Sequence, residues 1–424
     1  MLYISQRITA ILLISMMLMG CASLSAQTDR DDYRQQAIEI LESVPLFDGH
    51  NDVPWQYRNR VGYKFSELDF YDTTHLERPM HTDIPRLREG RVGAQWWSVY
   101  VSANISEPEA VKQTMEQIDF VYRMVEKYPD HFEMAYTADD VERIFADGKI
   151  ASLIGMEGGH SINNSLATLR MFYELGARYM TITHGRTLDW ADAAGDDPQH
   201  DGLTEFGEEV IREMNRLGML VDLSHVTPET MKDAIRVSEA PVMFSHSNAL
   251  ALTGHPRNVP DDVLKLTAEN GGVVMVTFVE TFTSEERRLH FAERAAYQRK
   301  IEYLNPGIPE VVREKMNAWD EKNEAPNSTL EQVVDHIDHI RDLVGVDYIG
   351  IGGDYDGIPT LPLGLEDVST YPDLFAEMLK RGYSEEDLKK IAGLNMLRVL
   401  RGAEEVSERL RAEREPSEVL ISDF

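Results

Sequence analysis

Eight short apolar segments recur along the chain: 46-LFDGHND-52, 92-VGAQWWSVYV-101, 150-IASLIGMEGG-159, 179-YMTITH-184, 218-GMLVDLSH-225, 241-PVMFSHS-247, 271-GGVVMVTF-278 and 348-YIGIGGDYDG-357. Several are nearly continuous apolar runs, the pattern of strands covered on both faces. Stretches of helical period lie between them. Residues 108–128 keep Val111, Met115, Ile118, Val121 and Val125 on one stripe, and 165–176 do the same with Leu166, Leu169, Phe172, Tyr173 and Leu175. The segment 204–216 opens on Thr204, with Glu205, Glu208 and Glu209 in its early turns, as helix N-termini prefer. Helices at 228–238, 260–269 and 328–344 complete the series, and a tail helix at 384–401 starts from Ser384-Glu385-Glu386. Strand–helix alternation repeated eight times predicts an α/β fold, a (β/α)8 TIM barrel. The charged stretch 279–327 lacks a strand and reads as a long insertion, or lid, after strand seven. No internal repeat or low-complexity run divides the chain, so 35–424 is expected to form a single domain.

The first residues read differently. After Arg7 comes the apolar run ITAILLISMMLMG, short for a membrane span and suited to a signal peptide. Leu18-Met19-Gly20-Cys21 resembles the bacterial lipobox, which implies cleavage after residue 20 and a lipid on Cys21. Cys21 is the only cysteine, so an exported chain has no internal disulfide available. Residues 21–34 then read as a polar tether, and the expected location is the periplasmic or outer-membrane face of a bacterial membrane. The formal net charge of −31 argues against nucleic acid as a partner, since phosphate binding calls for a basic face.

The strand ends carry the chemistry. Strand one ends in His50 and Asp52, strand three in Glu157, strand four in His184, strand five in His225, strand six in His246 and strand eight in Asp354. In a barrel these ends share one rim, where active sites form. Four of the 13 histidines fall at such ends, more than scatter would place there. Imidazoles and carboxylates without cysteine suit Zn²⁺ or a similar divalent ion in a catalytic site. There are more candidate ligands than one zinc needs, and two metals sharing a carboxylate can hold a bridging hydroxide and polarise a carbonyl. A buried glutamate without a partner would be costly, which favours ligation for Glu157. His336 and His339, in 335-DHIDHI-340, lie beside an apolar stripe of Val333, Ile337, Ile340 and Val344; a solvated helix face is expected for both. His160 is left outside the site, and Trp96 and Trp97 read as barrel packing, with pocket lining as the alternative.

Together these residues resemble the membrane (renal) dipeptidases, a metallopeptidase branch of the amidohydrolase superfamily. The matching segments are DGHND at 48–52, GMEGGH at 155–160, THG at 183–185, DLSH at 222–225, FSHS at 244–247, RNVPDD at 257–262 and GGDYDG at 352–357. The resemblance implies two Zn²⁺ per chain. His50 and Asp52 would bind one ion, His225 and His246 the other, with Glu157 between them. It implies that His184 contacts the substrate carbonyl, that Arg257 pairs with the substrate's terminal carboxylate, and that Asp354 carries the proton. The expected substrate is a dipeptide, including those with a D-residue at the carboxyl side. Other reactions on the same scaffold stay open, namely hydrolysis of N-acyl amino acids, lactones or phosphoesters, as does a non-catalytic solute-binding lipoprotein. Gly185-Arg186-Thr187 stands where the family is expected to have an Asn-rich turn, leaving side-chain preference open. The oligomeric state is open as well, a homodimer included.

Overall fold

In the computed structural model, which describes residues 32–424, nine strands form one parallel sheet. They are β1 (Leu46–Asn51), β2 (Val92–Tyr100), β3 (Phe132–Met134), β4 (Ile150–Glu157), β5 (Ala177–Thr181), β6 (Leu220–Asp222), β7 (Met243–Phe244), β8 (Val273–Val276) and β9 (Ile349–Ile351). Neighbours run β2-β1-β9-β8-β7-β6-β5-β4, and a β2–β4 pairing closes the ring into an eight-stranded barrel. The ninth strand lies outside it. β3 pairs with Ile150–Ser152 at the start of β4, and β5 takes over that edge from Ile154 onward. Three residues are too few to leave a periodic trace, so β3 was not foreseen. The eight expected strands all form, but they stop short of the expected ends: His184, His225, His246 and Asp354 sit on the loops that follow.

Side chains alternate across each strand. Phe47, Trp96, Leu153, Tyr179, Leu220, Met243 and Met275 share one buried cluster inside the ring. Their strand neighbours Leu46, Trp97, Ile154, Met180, Val221, Phe244 and Val274 belong to a second cluster under the helices. Both tryptophans are therefore packing residues, one on each side of β2.

The helices foreseen from periodicity are present: Glu107–Lys127, Leu166–Glu174, Glu205–Leu217, Pro228–Val237, Asp261–Asn270 and Leu330–Val344. Side-chain caps fix their starts. Thr204, Thr227 and Thr329 each accept from a backbone N–H three residues on, and Gln332 completes a capping box with Thr329. The tail helix is interrupted. Glu385–Lys389 passes through a π-helical turn, Lys390–Leu394, before Asn395–Glu413. A Cβ at Gly393 would collide with the Pro45 carbonyl oxygen, so the chain there presses directly on the entrance to β1. The insertion after β8 is helical, with Glu280–Thr283, Glu285–Leu304 and Pro309–Asp320. Residues 32–41 are helical too, so the last three residues of the expected tether, 32–34, belong to a helix, and the rest of it lies outside the described residues. The expected signal peptide, residues 1–20, and Cys21 lie outside the described residues. Among the described residues no helix is long and apolar enough to cross a membrane.

One expectation is corrected. His336 is fully buried, not on a solvated face. Its Nε2–H donates to Thr283 O at 3.1 Å and its Nδ1 accepts from the Ala249 N–H at 3.2 Å. Position 336 lies three residues after Val333 and four before Ile340, which keeps it on the buried stripe. Burial holds its pKa down to about 4, so it stays a neutral cross-link between the insertion and the loop after β7. His339 is half-buried and meets Asp261 Oδ1 at 2.8 Å.

Candidate metal centre

The inward-facing rows change character near the rim. Above the apolar layer they continue as Ser98, Glu157, Thr181, Asp222 and Ser245, all buried. Glu157 is the hub. Its Oε2 lies 3.5 Å from His50 Nε2 and accepts from Ser98 Oγ at 3.2 Å. Its Oε1 faces the other way, 3.1 Å from His225 Nε2 and 3.6 Å from both His246 Nε2 and His184 Nε2. A Cβ at Gly155 would run into the Tyr179 ring, so that glycine makes room for the phenol beneath Glu157.

His50 reaches the interior because the β1–β2 register slips between Asp48 and Asn51. Without that slip, a residue three after the inward Phe47 would face out. Its Nδ1 meets Tyr179 Oη at 3.0 Å, and Asp48 accepts the backbone N–H of His50 and of Gly353, tying β1 to the end of β9. Asp52 has already left the strand. It is the N-cap of helix Val53–Val61 but makes no capping hydrogen bond, so its carboxylate is free to turn to the rim, 3.3 Å from His50 Nε2. The structure thus brings His50 and Asp52 together at the rim, through a register slip and an uncapped helix start rather than through simple strand alternation.

His225 and Asp354 sit in the left-handed backbone region, at φ 75° and 60°, a strained arrangement that persists only where the surroundings impose it. A Cβ at Gly357 would collide with the carboxylates of both Asp52 and Asp354, so only glycine lets the chain pass there. The His225 and His246 Nε2 atoms face each other at 3.0 Å. His184 stacks on His225 at 4.2 Å and meets Tyr100 at 4.7 Å, and Tyr100 in turn packs edge-on against Trp55. Arg257 is buried, with its guanidinium 5.1 Å over the Phe282 ring from the insertion.

Three overlapping groups bring ligand atoms within 4.8 Å of one another: His50, Glu157 and His246; Glu157, His184 and His225; His50, Asp52 and Asp354. The residues fit a cation. His50 Nε2 and Asp52 Oδ1 are buried and make no hydrogen bond among the described residues, a costly state that a metal would relieve. Burial, with Arg257 nearby, holds His225 well below the usual imidazole range, and burial does the same to His246, so both stay neutral donors. Burial opposes the charge on Glu157, but the surrounding imidazoles outweigh it and keep the carboxyl ionised. Asp354 goes the other way. Burial and the charges of Asp52 and Glu157 push its pKa well up, and a cation close by would pull it back. Burial lowers Arg257 to about 10, which leaves it charged at neutral pH.

Every expected site residue among those described is at this rim. Sequence reasoning missed the residues beneath and beside them: Asp48, Ser98, Tyr179, Asp222, Ser245, Tyr100 and Trp55. Asp222 and Ser245 stand inside the DLSH and FSHS segments, so a signal existed; Ser98, Tyr100 and Tyr179 lie in apolar runs that read as packing.

Residues 34–414 match the family model described as membrane dipeptidase (peptidase family M19). Solved structures with the same fold include the probable dipeptidase PvdM from Pseudomonas aeruginosa, with a TM-score of 0.77 and 24% identity over 89% of this chain and 99% of that one. A metallo peptidase from Rhodobacter sphaeroides, liganded with a phosphinate mimic of the dipeptide L-Ala-D-Ala, aligns with a TM-score of 0.70 and 26% identity over 85% of this chain and 99% of that one. The dipeptidase AC, a metallo peptidase, aligns with a TM-score of 0.70 and 27% identity over 85% of this chain and 98% of that one. A match along nearly the whole described chain, on a closed barrel whose rim gathers ligand groups for a cation, leads to one conclusion: the chain belongs to the membrane dipeptidase family and is a metallodipeptidase.

Proposed function

We propose that the chain cleaves dipeptides with two Zn²⁺ ions, one held by His50 and Asp52, the other by His225 and His246, with Glu157 shared between them. The observation that carries this is the opposed reach of Glu157, one oxygen toward His50 and the other toward His225 and His246. Bound ions supply Lewis-acid polarisation and an activated water. The protein's own groups do the rest. Arg257 receives the substrate's free carboxylate; its Nε is buried and unpartnered among the described residues, and the guanidinium's one hydrogen bond among them, 3.4 Å to the His246 carbonyl oxygen, leaves most of its donors unused. His184, neutral because burial lowers its pKa, donates to the substrate carbonyl oxygen from the partly exposed side of the cluster. Asp354 holds a proton for the leaving amine.

The carboxyl-side residue includes the D-form. The Rhodobacter neighbour was solved with an L-Ala-D-Ala mimic, and this supports the reading. Zinc-reconstituted protein screened on a dipeptide library with L,L and L,D pairs is expected to turn over at least one set; a metal-loaded protein inert on all of them contradicts the proposal. Arg257→Ala is expected to lower kcat/KM about 10- to 100-fold, mostly through KM, for substrates with a free C-terminus. An equal loss on C-terminally amidated substrates would remove that role from Arg257. We further propose that the mature chain is anchored by a lipid on Cys21. Cys21→Ser is expected to move the protein from the membrane fraction to the soluble one; unchanged sedimentation with membranes refutes the anchor.

A further inference from the structure

Among the described residues, His246 alone of the imidazoles around Glu157 hangs by its Nδ1 from a chain that ends in a carboxylate. Its Nδ1 lies 2.8 Å from Ser245 Oγ, and Ser245 Oγ lies 2.6 Å from Asp222 Oδ2. Counting donors fixes the direction of that chain. Asp222 Oδ1 accepts the backbone N–H of Ser224 at 3.1 Å and of Ser245 at 2.8 Å. Its Oδ2 accepts the Thr181 hydroxyl at 2.5 Å as well as that of Ser245. With four donors aimed at two oxygens, Asp222 only accepts. The single Ser245 proton goes to this charged acceptor rather than to Ser224 Oγ, 3.4 Å away. Ser245 Oγ is then left to accept, so the imidazole must donate. His246 therefore carries its proton on Nδ1 and presents a bare Nε2 toward Glu157 Oε1 and His225 Nε2.

We propose that Asp222, acting through Ser245, is a positioning device that fixes the His246 tautomer and strengthens it as a donor to a cation. His50 has a weaker counterpart. Its Nδ1 meets the neutral Tyr179 hydroxyl, which can give or take a proton and so enforces neither tautomer. The inference rests on the reading that His246 holds a metal. Neither Asp222 nor Ser245 touches substrate; both act through the imidazole.

Asp222 also stitches together the ends of β5 and β6 and the loop after β7, so a purely structural role is the competing explanation. Two variants separate the roles. Ser245→Ala removes the relay and keeps the other three bonds to Asp222. Thr181→Val removes a bond to the same Oδ2 and keeps the relay. Zn²⁺ affinity is read by competition with a chromophoric chelator. Ser245→Ala is expected to weaken the more labile ion about 10- to 100-fold, with Thr181→Val unchanged and Ser245→Thr restoring the wild-type value. The Co²⁺-substituted Ser245→Ala protein is expected to show shifted ligand-field bands. Wild-type affinity in Ser245→Ala, or an equal loss in Thr181→Val, overturns the relay while leaving the metal assignment standing. Wild-type protein whose zinc uptake is indifferent to His246→Ala overturns the metal assignment, and the relay with it. Nitrogen-edited imidazole spectra of the wild-type protein give a check independent of any variant: a His246 proton on Nδ1 is expected, and one on Nε2 overturns the relay.

Discussion

Glu157→Gln is expected to abolish dipeptide turnover, by three orders of magnitude or more, and to weaken both ions together. The loss of Lewis-acid stabilisation is worth several kcal/mol, and each 1.36 kcal/mol is about tenfold in rate. Glutamine keeps the shape of the side chain and can still accept from Ser98, so the barrel should fold. What it loses is the charge and the second equivalent oxygen. In the structure the two Glu157 oxygens face different side chains: Oε2 faces His50, and Oε1 faces His225 and His246. On the proposed two-ion reading, a residue shared in this way couples the two positions, so their affinities are expected to fall in step. Metal analysis under limiting zinc, alongside kcat/KM, checks both halves. A variant that loses one ion and keeps the other at full strength would show that Glu157 belongs to a single position.

Asp354→Asn is expected to lower kcat by about 10²- to 10⁴-fold, the range for loss of a general acid–base group, with metal content unchanged. Asparagine tolerates the left-handed backbone that Asp354 adopts at φ 60°, so the loop should hold its path. The carboxyl is buried beside Asp52 and Glu157, whose charges favour its protonated form. A nearby cation favours the ionised form. The two influences oppose each other, which suits the proton-carrying role proposed for Asp354. Loss of zinc from Asp354→Asn would instead make it a ligand, because its carboxylate also groups with His50 and Asp52.

The barrel was legible because seven of its eight strands are apolar enough to stand out between amphipathic helices, and the eighth, β9, is followed by a glycine- and aspartate-rich turn. The metal candidates were legible because histidines and acids at strand ends stand out against apolar runs. What remained hidden depends on geometry that no local pattern encodes. His50 turns inward through a register slip in β1, and Asp52 points to the rim because it leaves its own helix uncapped. Tyr179 and Ser98 sit in strands where any inward residue reads as filler. His336 was misplaced because the apolar stripe of its helix is wider than the row of aliphatic residues that marks it. Arg257 was found only through a motif, since no period or strand end marks a loop arginine as buried.

Anomalous diffraction from zinc-loaded crystals tests the central claim most directly. Two peaks flanking the Glu157 carboxylate are predicted, one against His50 and Asp52, the other against His225 and His246. No peak at this rim, or a lone peak that leaves either pair without a metal, would contradict the account.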